Sequence, residues 1–319
     1  MRGFNLIPTD VNIRFIPRKL TFFIFSGFLV ALAIGMFSIK GLSYGIDFQG
    51  GIMIDVRTPG PADIGAMRNQ LSQLGLGEVS LQEFGQPDDV LIRVQRQDGG
   101  EAAQQAAVAK VKAALGARIE YRRTEFVGPK VSEELFWDGV MAVSFAILAI
   151  LVYIWFRFEW QFGLGAVIAL LHDVLTTIGL FALLGLEFNL STVAAILTIA
   201  GYSINDTVVV YDRVRENLRK FKKMPLAELL NNSINETLSR TVMTSVTTLL
   251  ALLALYFLGG EVIRDFSFAM IWGVIIGTYS SICLAVPVLL YLNIRRSGLG
   301  GDQGGDKPQA GEAVAPEAP

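Results

Sequence analysis

The sequence has 319 residues, of which 52% are hydrophobic and 18% are charged, and its mean hydropathy is +0.48. Soluble domains are typically less apolar and more charged. The net charge of −2 argues against nucleic-acid binding, which needs a basic surface. Cys283 is the only cysteine and His172 the only histidine, so we expect no internal disulfide, no metal site and no cofactor.

Six apolar runs are long enough to cross the roughly 30 Å hydrocarbon core of a bilayer. They are Leu20–Ile39, Gly139–Phe156, Phe162–Leu184, Leu190–Tyr211, Val242–Leu258 and Phe266–Leu292. The first run is too long for the core of a signal peptide and lacks a small-residue cleavage site, so we expect it to be retained. The predicted fold class is therefore an α-helical polytopic membrane protein with six transmembrane helices.

Basic residues indicate the orientation of these spans, because lysine and arginine favour cytoplasmic loops. They precede the first span and follow the fourth and sixth spans: Arg14, Arg18, Lys19, Arg213, Arg215, Arg219, Lys220, Lys222, Lys223, Arg295 and Arg296. The turns Gly185–Asn189 and Gly259–Asp265 are poor in basic residues. Both termini, including the N-terminal segment 1–19, are thus predicted to be cytoplasmic.

Residues 40–138, between the first and second spans, are the only sizeable extramembrane domain, which we place outside the cytoplasm. Ile52, Ile54 and Val56 alternate with Met53, Asp55 and Arg57, as in a strand. The elements predicted after it are a helix at Pro61–Leu74, strands at Val79–Phe84 and Val90–Arg96 around the turn Gly85–Asp89, a helix at Glu101–Leu115 and a strand at Arg118–Val127. The order β-α-β-β-α-β predicts a small ferredoxin-like α+β domain. It contains no catalytic motif, so we expect it to bind or position a partner.

Two segments lie between or beyond the later spans, which occupy residues 139–292. Residues 224–238 carry apolar side chains at helical spacing: Leu226, Leu229, Leu230, Ile234 and Leu238. They predict either an amphipathic helix along the cytoplasmic interface or a solvated connector helix. Within the cytoplasmic tail 293–319, Gly298–Pro319 has almost no large apolar residue and is predicted to be disordered.

The fourth span contains a carboxylate, Asp206, among other polar residues that include Tyr202 and Asn205. Placing a charged side chain inside a membrane costs at least about 2.5–3.5 kcal/mol of insertion free energy, so such a residue indicates a structural or functional role. Because burial disfavours the charged form, Asp206 could act as a reversible proton carrier. The alternatives are a structural ion pair or a hydrated position near the interface.

The fifth span begins with a possible partner for this carboxylate. Arg240, Thr244 and Thr247 form one polar stripe, which should face other helices rather than lipid. If the fourth and fifth spans are an antiparallel pair, Arg240 approaches Asp206 near the cytoplasmic side. The alternative is that Arg240 extends to the lipid headgroups of the bilayer.

His172 and Asp173 lie midway along the third span. Adjacent residues point about 100° apart on a helix, so we expect the two side chains to face different neighbours. One of them could line a pathway while the other packs against a neighbouring helix. For His172 we favour a structural hydrogen bond.

Small residues recur at every fourth position of the sixth span, including Gly273, Gly277 and Ser281. Gly27, Ala31 and Gly35 repeat the pattern in the first span. This spacing lets helix backbones approach closely. It predicts a helix interface, either within the chain or with a partner.

Five segments together resemble the SecF proteins of the SecD/SecF family, which belongs to the RND superfamily. They are Gly45–Gly51, Val127–Leu135, Leu171–Val174, Gly201–Asn217 and Ser239–Ser245. The first, with Gly45, Asp47, Gly50 and Gly51, also occurs in the sister protein SecD, but SecD would have a much larger outer domain. The resemblance covers Ile16 to Leu292.

The resemblance implies a non-enzymatic, proton-coupled subunit of the protein-export machinery in the bacterial cytoplasmic membrane. Family members pair with SecD in a twelve-helix arrangement and associate with the SecYEG channel. They use the proton motive force to help export preproteins that the ATPase SecA has driven in. Carried onto this chain, the proton-pathway residues are Asp206 and Arg240. The absence of a nucleotide-binding motif agrees with an energy source other than ATP.

Three other functions compete with this one. An RND-type exporter of small molecules or lipids would usually carry a second six-helix half. An intramembrane aspartyl protease could use Asp173 and Asp206, but the Gly-x-Gly-Asp pattern is absent, since Asp206 follows Ile204 and Asn205. A non-transporting scaffold of the translocon would not need Asp206.

Overall fold

A computed structural model describes residues 12–260, 263–292 and 294 of the chain. The first eleven residues of the predicted N-terminal segment lie outside the described residues. So do the predicted disordered segment Gly298–Pro319 and the basic pair Arg295 and Arg296.

The described elements follow one another in this order: α1 (Lys19–Lys40), β1 (Ser43–Tyr44), α2 (Ile46–Gln49), β2 (Gly51–Arg57), α3 (Ile64–Ser72), β3 (Val79–Phe84), β4 (Gln86–Val94), α4 (Gly100–Leu115), β5 (Glu120–Val127), α5 (Pro129–Arg157), α6 (Trp160–Leu184), β6 (Glu187–Phe188), α7 (Leu190–Lys220), α8 (Leu226–Leu258) and α9 (Arg264–Ser280). A 3₁₀ turn, Ile16–Arg18, precedes α1, and a π-helical turn, Ser281–Ala285, continues α9 toward Tyr291.

Six helices are long and apolar enough to cross a membrane, and they correspond to the six predicted spans. The prediction of a six-span helical fold is confirmed. Several helices are longer than their apolar runs, because backbone hydrogen bonding continues beyond the hydrocarbon-length window. For example, α5 begins at Pro129, well before the apolar run at Gly139, and proline suits that first position because it has no N–H to leave unpaired.

The segment 224–238 is continuous with the fifth span in a single helix, α8. Leu229, Leu230 and Ile234 are fully buried. They share a core cluster with Val214 and Leu218 of α7. The apolar face of this segment is therefore covered by protein.

The centre of the bundle consists of α6, α7 and α9. Over their apolar windows, 56%, 56% and 72% of residues are buried inside the chain, whereas α1 and α5 reach only 11% each. A helix that is apolar on all sides yet little buried by its own chain must meet lipid or another subunit. The outer faces of α1 and α5 are thus free for such contacts.

The sheet domain, residues 51–127, has four antiparallel strands in the order β3-β4-β2-β5. Ile52, Ile54 and Val56 of β2 point to one face, where they pack with Met67 of α3 and Val111 of α4. Both helices thus cover the same side of the sheet. The ferredoxin-like prediction is confirmed.

Several local boundaries in this domain differ from the prediction, and two differences are the largest. The helix predicted from Pro61 begins at Ile64, because the Asp63 side chain caps it by accepting from the Ala66 N–H at 2.9 Å. The turn predicted at Gly85–Asp89 is much tighter, since β4 already begins at Gln86. Gly85 makes this possible with a φ of 81°, which a residue with a side chain rarely adopts.

Candidate functional site

Asp206 lies in the middle of α7, with only 5% of the residue exposed. Its Oδ2 atom is buried and has no hydrogen-bond partner among the described residues. Three hydroxyls on α7 and α8 are also buried without a partner in the described part of the chain, those of Tyr202, Thr207 and Thr241. Unsatisfied buried polar atoms are rare in folded proteins, so the unpartnered Asp206 oxygen marks an unusual environment.

Arg240 lies on α8, which returns alongside α7 after the short connection 221–225. Its side chain is exposed, and no ion pair joins it to Asp206 in the described part of the chain. Its charge nevertheless acts electrostatically on the Asp206 carboxylate. The two groups interact through their charges but form no salt bridge among the described residues.

The remaining residues of the predicted polar stripe bond mainly to their own helix. The Thr244 hydroxyl donates to the Arg240 and Thr241 carbonyls, and the Thr247 hydroxyl donates to those of Met243 and Thr244. Thr247 is exposed, as is Asn205 on α7. These side chains do not join Asp206 in a hydrogen-bonded network.

Asp173 forms the most connected polar cluster in the bundle. It is completely buried, and its Oδ2 accepts from the hydroxyls of Ser203 at 2.5 Å and Ser280 at 2.7 Å. Its Oδ1 lies 2.9 Å from His172 Nδ1. The carboxylate thus joins the third, fourth and sixth spans at one point. Ser203 lies three residues before Asp206, so this cluster is about one helical turn from it.

His172 extends the cluster toward the first span. Its ring lies 6.1 Å from that of Tyr279, whose hydroxyl donates to the Phe22 carbonyl and lies 2.9 Å from Ser26 Oγ. His172 Nε2 is buried, and none of the residues that the structure describes forms a hydrogen bond with it. The prediction that the side chains of His172 and Asp173 face different neighbours did not include a contact between the two. Their side-chain torsions bring them together although the two residues point about 100° apart on the helix.

The two membrane carboxylates do not form a dyad. The hydrogen bonds of Asp173 go to His172, Ser203 and Ser280, and none of the described bonds joins it to Asp206. An aspartyl protease needs two carboxyl groups that share a proton at close range. The arrangement does not provide this chemistry.

We expect Asp173→Ala to destabilise the bundle by about 3–5 kcal/mol, because removing one member of a buried hydrogen-bonded network leaves several partners unsatisfied. Asp173→Asn keeps an acceptor and should cost about half as much. Thermal unfolding of the purified complex in detergent measures both losses. An unchanged midpoint for Asp173→Ala would show that this cluster does not hold the spans together.

The small residues of the sixth span pack against α7. A Cβ atom at Gly273 would lie 2.2 Å from Ile199 Cγ1, and one at Gly277 would lie 3.2 Å from Ser203 Cβ. Ser281 is buried at the start of the π-helical turn. In the first span, by contrast, Cβ atoms at Gly27 and Gly35 would meet nothing within 4 Å.

The glycine-rich motif lies between α1 and the sheet domain. A Cβ atom at Gly45 would lie 2.4 Å from Glu187 Oε1. Gly50 and Gly51 have φ of 70° and 120°, and a Cβ atom at Gly51 would lie 2.8 Å from the Val94 carbonyl oxygen. Asp47 accepts a hydrogen bond from the Leu190 N–H at 2.9 Å. Each of the four motif residues therefore has a distinct steric or hydrogen-bonding role.

Sequence reasoning did not select Ser203 and Ser280 as site residues. Ser280 lies three residues after Gly277, next to the small-residue stripe, where a serine is easily taken for a packing residue. Both serines could have been identified from their hydroxyl groups, because a buried carboxylate in a membrane requires hydroxyl or amide donors on neighbouring helices.

Two known families match this chain. Residues 107–295 match the family described as protein export membrane protein SecD/SecF, C-terminal. Residues 35–58 match the SecD/SecF GG motif. The second match contains the glycine-rich segment whose contacts are described above.

Similar proteins and structures support the same relationship. The protein translocase subunit SecF of Rickettsia felis is 48% identical over 289 residues, covering 89% of this chain and 93% of that protein. The corresponding subunit of Rhodobacter capsulatus is 47% identical over 308 residues, covering 92% of each.

A solved structure of SecDF, a translocon-associated membrane protein from Thermus thermophilus, superposes with a TM-score of 0.80 at 39% identity. The superposition covers 90% of this chain but 39% of the longer SecDF chain. A SecDF structure in a super-membrane-facing form gives 0.64 at 38% identity. The chain therefore belongs to the SecF family of protein translocase subunits.

Proposed function

We propose that this subunit works with SecD to convert the proton motive force into assistance for preprotein export across the bacterial cytoplasmic membrane. The observation that carries the proposal is the buried carboxylate of Asp206, whose Oδ2 has no hydrogen-bond partner among the described residues and which interacts electrostatically with Arg240. The relationship to SecDF implies SecD as the partner. The SecYEG channel and preproteins driven by SecA are carried over from the family resemblance.

Protonation of Asp206 would change the interaction between α7 and α8. The ionised carboxylate attracts Arg240 across the helix pair, whereas the neutral acid does not. A group that alternates between these states biases a two-state equilibrium only if one helix arrangement favours the charged form. No salt bridge joins Asp206 to Arg240 among the described residues, so an arrangement in which the two are in contact would be a second state of the helix pair.

A proton must also reach Asp206. The unpartnered hydroxyls of Tyr202, Thr207 and Thr241 are the groups that bound water would satisfy, because a buried water usually makes about three hydrogen bonds. A hydrated path along the α7–α8 contact would carry protons by exchange between waters.

The proposed orientation follows the basic residues. It places the α7–α8 connection, with Arg219, Lys220 and Lys222 around it, in the cytoplasm. The sheet domain then lies outside, where it would hold or position the emerging preprotein. The two SecDF structures match this chain with TM-scores of 0.80 and 0.64 at nearly equal identity, which supports more than one arrangement within the family.

Export by inverted membrane vesicles tests this function. Vesicles that contain the complex of this chain with SecD should export a preprotein faster when a proton gradient accompanies SecA and ATP. Vesicles without the complex should gain much less from the same gradient. Equal gains would contradict the proposal and favour a scaffold. Gradient-driven efflux of a small molecule or lipid without any export gain would favour an RND-type exporter.

A further inference from the structure

The junction segment, residues 43–50, links α1 to the sheet domain and also contacts the start of α7. Ser43 and Tyr44 pair in parallel with Glu187 and Phe188, immediately before α7. The Gly45 N–H donates to the Phe188 carbonyl at 2.9 Å. The connection that leads into the Asp206 helix is therefore held by backbone hydrogen bonds to a distant part of the chain.

Asp47 adds a contact to the helix itself. Its Oδ2 accepts from the N–H of Leu190, the first residue of α7. The first N–H groups of a helix have no partner within the helix, and a carboxylate there is also favoured by the helix dipole. Asn189 already satisfies the Thr192 N–H from within the chain's own turn. Asp47 thus supplies the cap that this turn does not.

The sheet domain reaches the same turn directly. Arg93 of β4 donates to Glu187 Oε2 at 2.5 Å, and both side chains are largely buried. The Glu187 side chain also lies where any side chain at Gly45 would be. Glu187 is therefore enclosed between the junction segment and the sheet.

The other side of the junction segment packs on α5. The rings of Phe48 and Phe136 lie 6.1 Å apart, edge to face. A Cβ atom at Gly50 would lie 3.2 Å from Ser132 Oγ, and Gly51 leads straight into β2. Contacts of this kind transmit displacement, because a shift of one side chain moves the side chains packed against it.

We propose that the junction segment is the coupling element between the Asp206 helix and the sheet domain, with Asp47 as its positioning residue. A movement of α7 along or about its axis would displace Leu190 and Glu187. The contacts of Asp47 and Arg93 would transmit this displacement to the sheet domain, in addition to any movement transmitted by α1 and α5. This inference rests on the proposed function, since it assumes that Asp206 drives the movement of α7.

The test uses the complex with SecD in lipid vesicles and two probes in a Cys283→Ala background. A fluorophore at Met243→Cys, an exposed position on α8, reports the response near Asp206. Spin labels at Lys110→Cys and Leu184→Cys, both exposed, report the distance between the sheet domain and the bundle. A proton gradient is imposed across the vesicle membrane, and both probes are read in each variant.

With Asp47→Ala, we expect the fluorescence response to stay within twofold of the parent while the change in label distance falls at least fivefold. Asp47→Asn keeps an acceptor for the Leu190 N–H and should preserve both responses. Asp63→Ala is the control, because Asp63 also accepts from an N-terminal helix N–H at 2.9 Å but lies inside the sheet domain, away from α7. It should preserve both responses as well.

A normal distance change in Asp47→Ala would overturn the coupling role. Loss of both responses in Asp47→Ala would also overturn it, because Asp47 would then support the proton site itself. Asp206→Asn separates this inference from the proposed function. If Asp206→Asn keeps both responses, the proposed role of Asp206 fails, and the coupling as stated fails with it.

Discussion

Asp206→Asn is expected to abolish the gradient-dependent part of export while the complex with SecD still assembles. Asparagine has nearly the same shape as aspartate but cannot change its charge. One proton moving through a membrane potential of 100 mV releases about 2.3 kcal/mol, which shifts an equilibrium by roughly fiftyfold. A variant that cannot take up the proton loses this bias entirely, so the loss should be complete rather than partial.

The matched control for this change is Asp212→Asn, on the same helix. Both Asp212 oxygens accept from Arg157 Nη2 at 2.6 Å, and the pair is partly exposed. Exposed ion pairs contribute only about 0–1 kcal/mol, so Asp212→Asn should leave gradient-dependent export nearly unchanged. Export rates with and without the gradient, normalised to the amount of complex in the membrane, measure both variants. Wild-type export by Asp206→Asn would remove the basis of the proposed mechanism.

The six spans were predictable because hydropathy over about 20 residues reports directly on membrane crossing. The sheet domain was predictable because strand alternation and helix periodicity are local patterns. The lengths of the helices were harder to predict. The segment 224–238 and the fifth span are one helix, α8, and a change from amphipathic to fully apolar sequence does not by itself reveal whether the backbone bends.

The hydrogen bonds within the site could not be predicted from the spacing of residues in the sequence. Asp173 bonds to Ser203 and Ser280, and Asp47 bonds to Leu190 across 143 positions of the sequence. Such contacts depend on which helices become neighbours, and that is decided by packing of whole faces. The small-residue stripes illustrate the same limit. The pattern in the first span resembles that in the sixth, yet Gly35 faces open space and Gly273 meets Ile199.

Gly273→Ala is expected to lower the stability of the bundle by about 1–3 kcal/mol, as overpacking of a filled core typically does. The added methyl would lie 2.2–2.9 Å from three carbons of Ile199, which itself is only 1% exposed. The matched control is Gly35→Ala, where the same methyl meets nothing within 4 Å. Thermal unfolding of the two variants should therefore differ by several degrees in midpoint.

A second change at Ile199 identifies the cause of that loss. If the clash alone is responsible, Ile199→Val, which removes the Cδ1 methyl, should restore part of the stability when combined with Gly273→Ala, although Ile199→Val alone costs about 0.5–1.5 kcal/mol. Additive losses would instead mean that the two helices separate and lose the contact. Because Ser203 lies one turn after Ile199 on α7, a separation there would also release the Asp173 cluster. Close approach at Gly273 would then be a condition for the polar site and not only for packing.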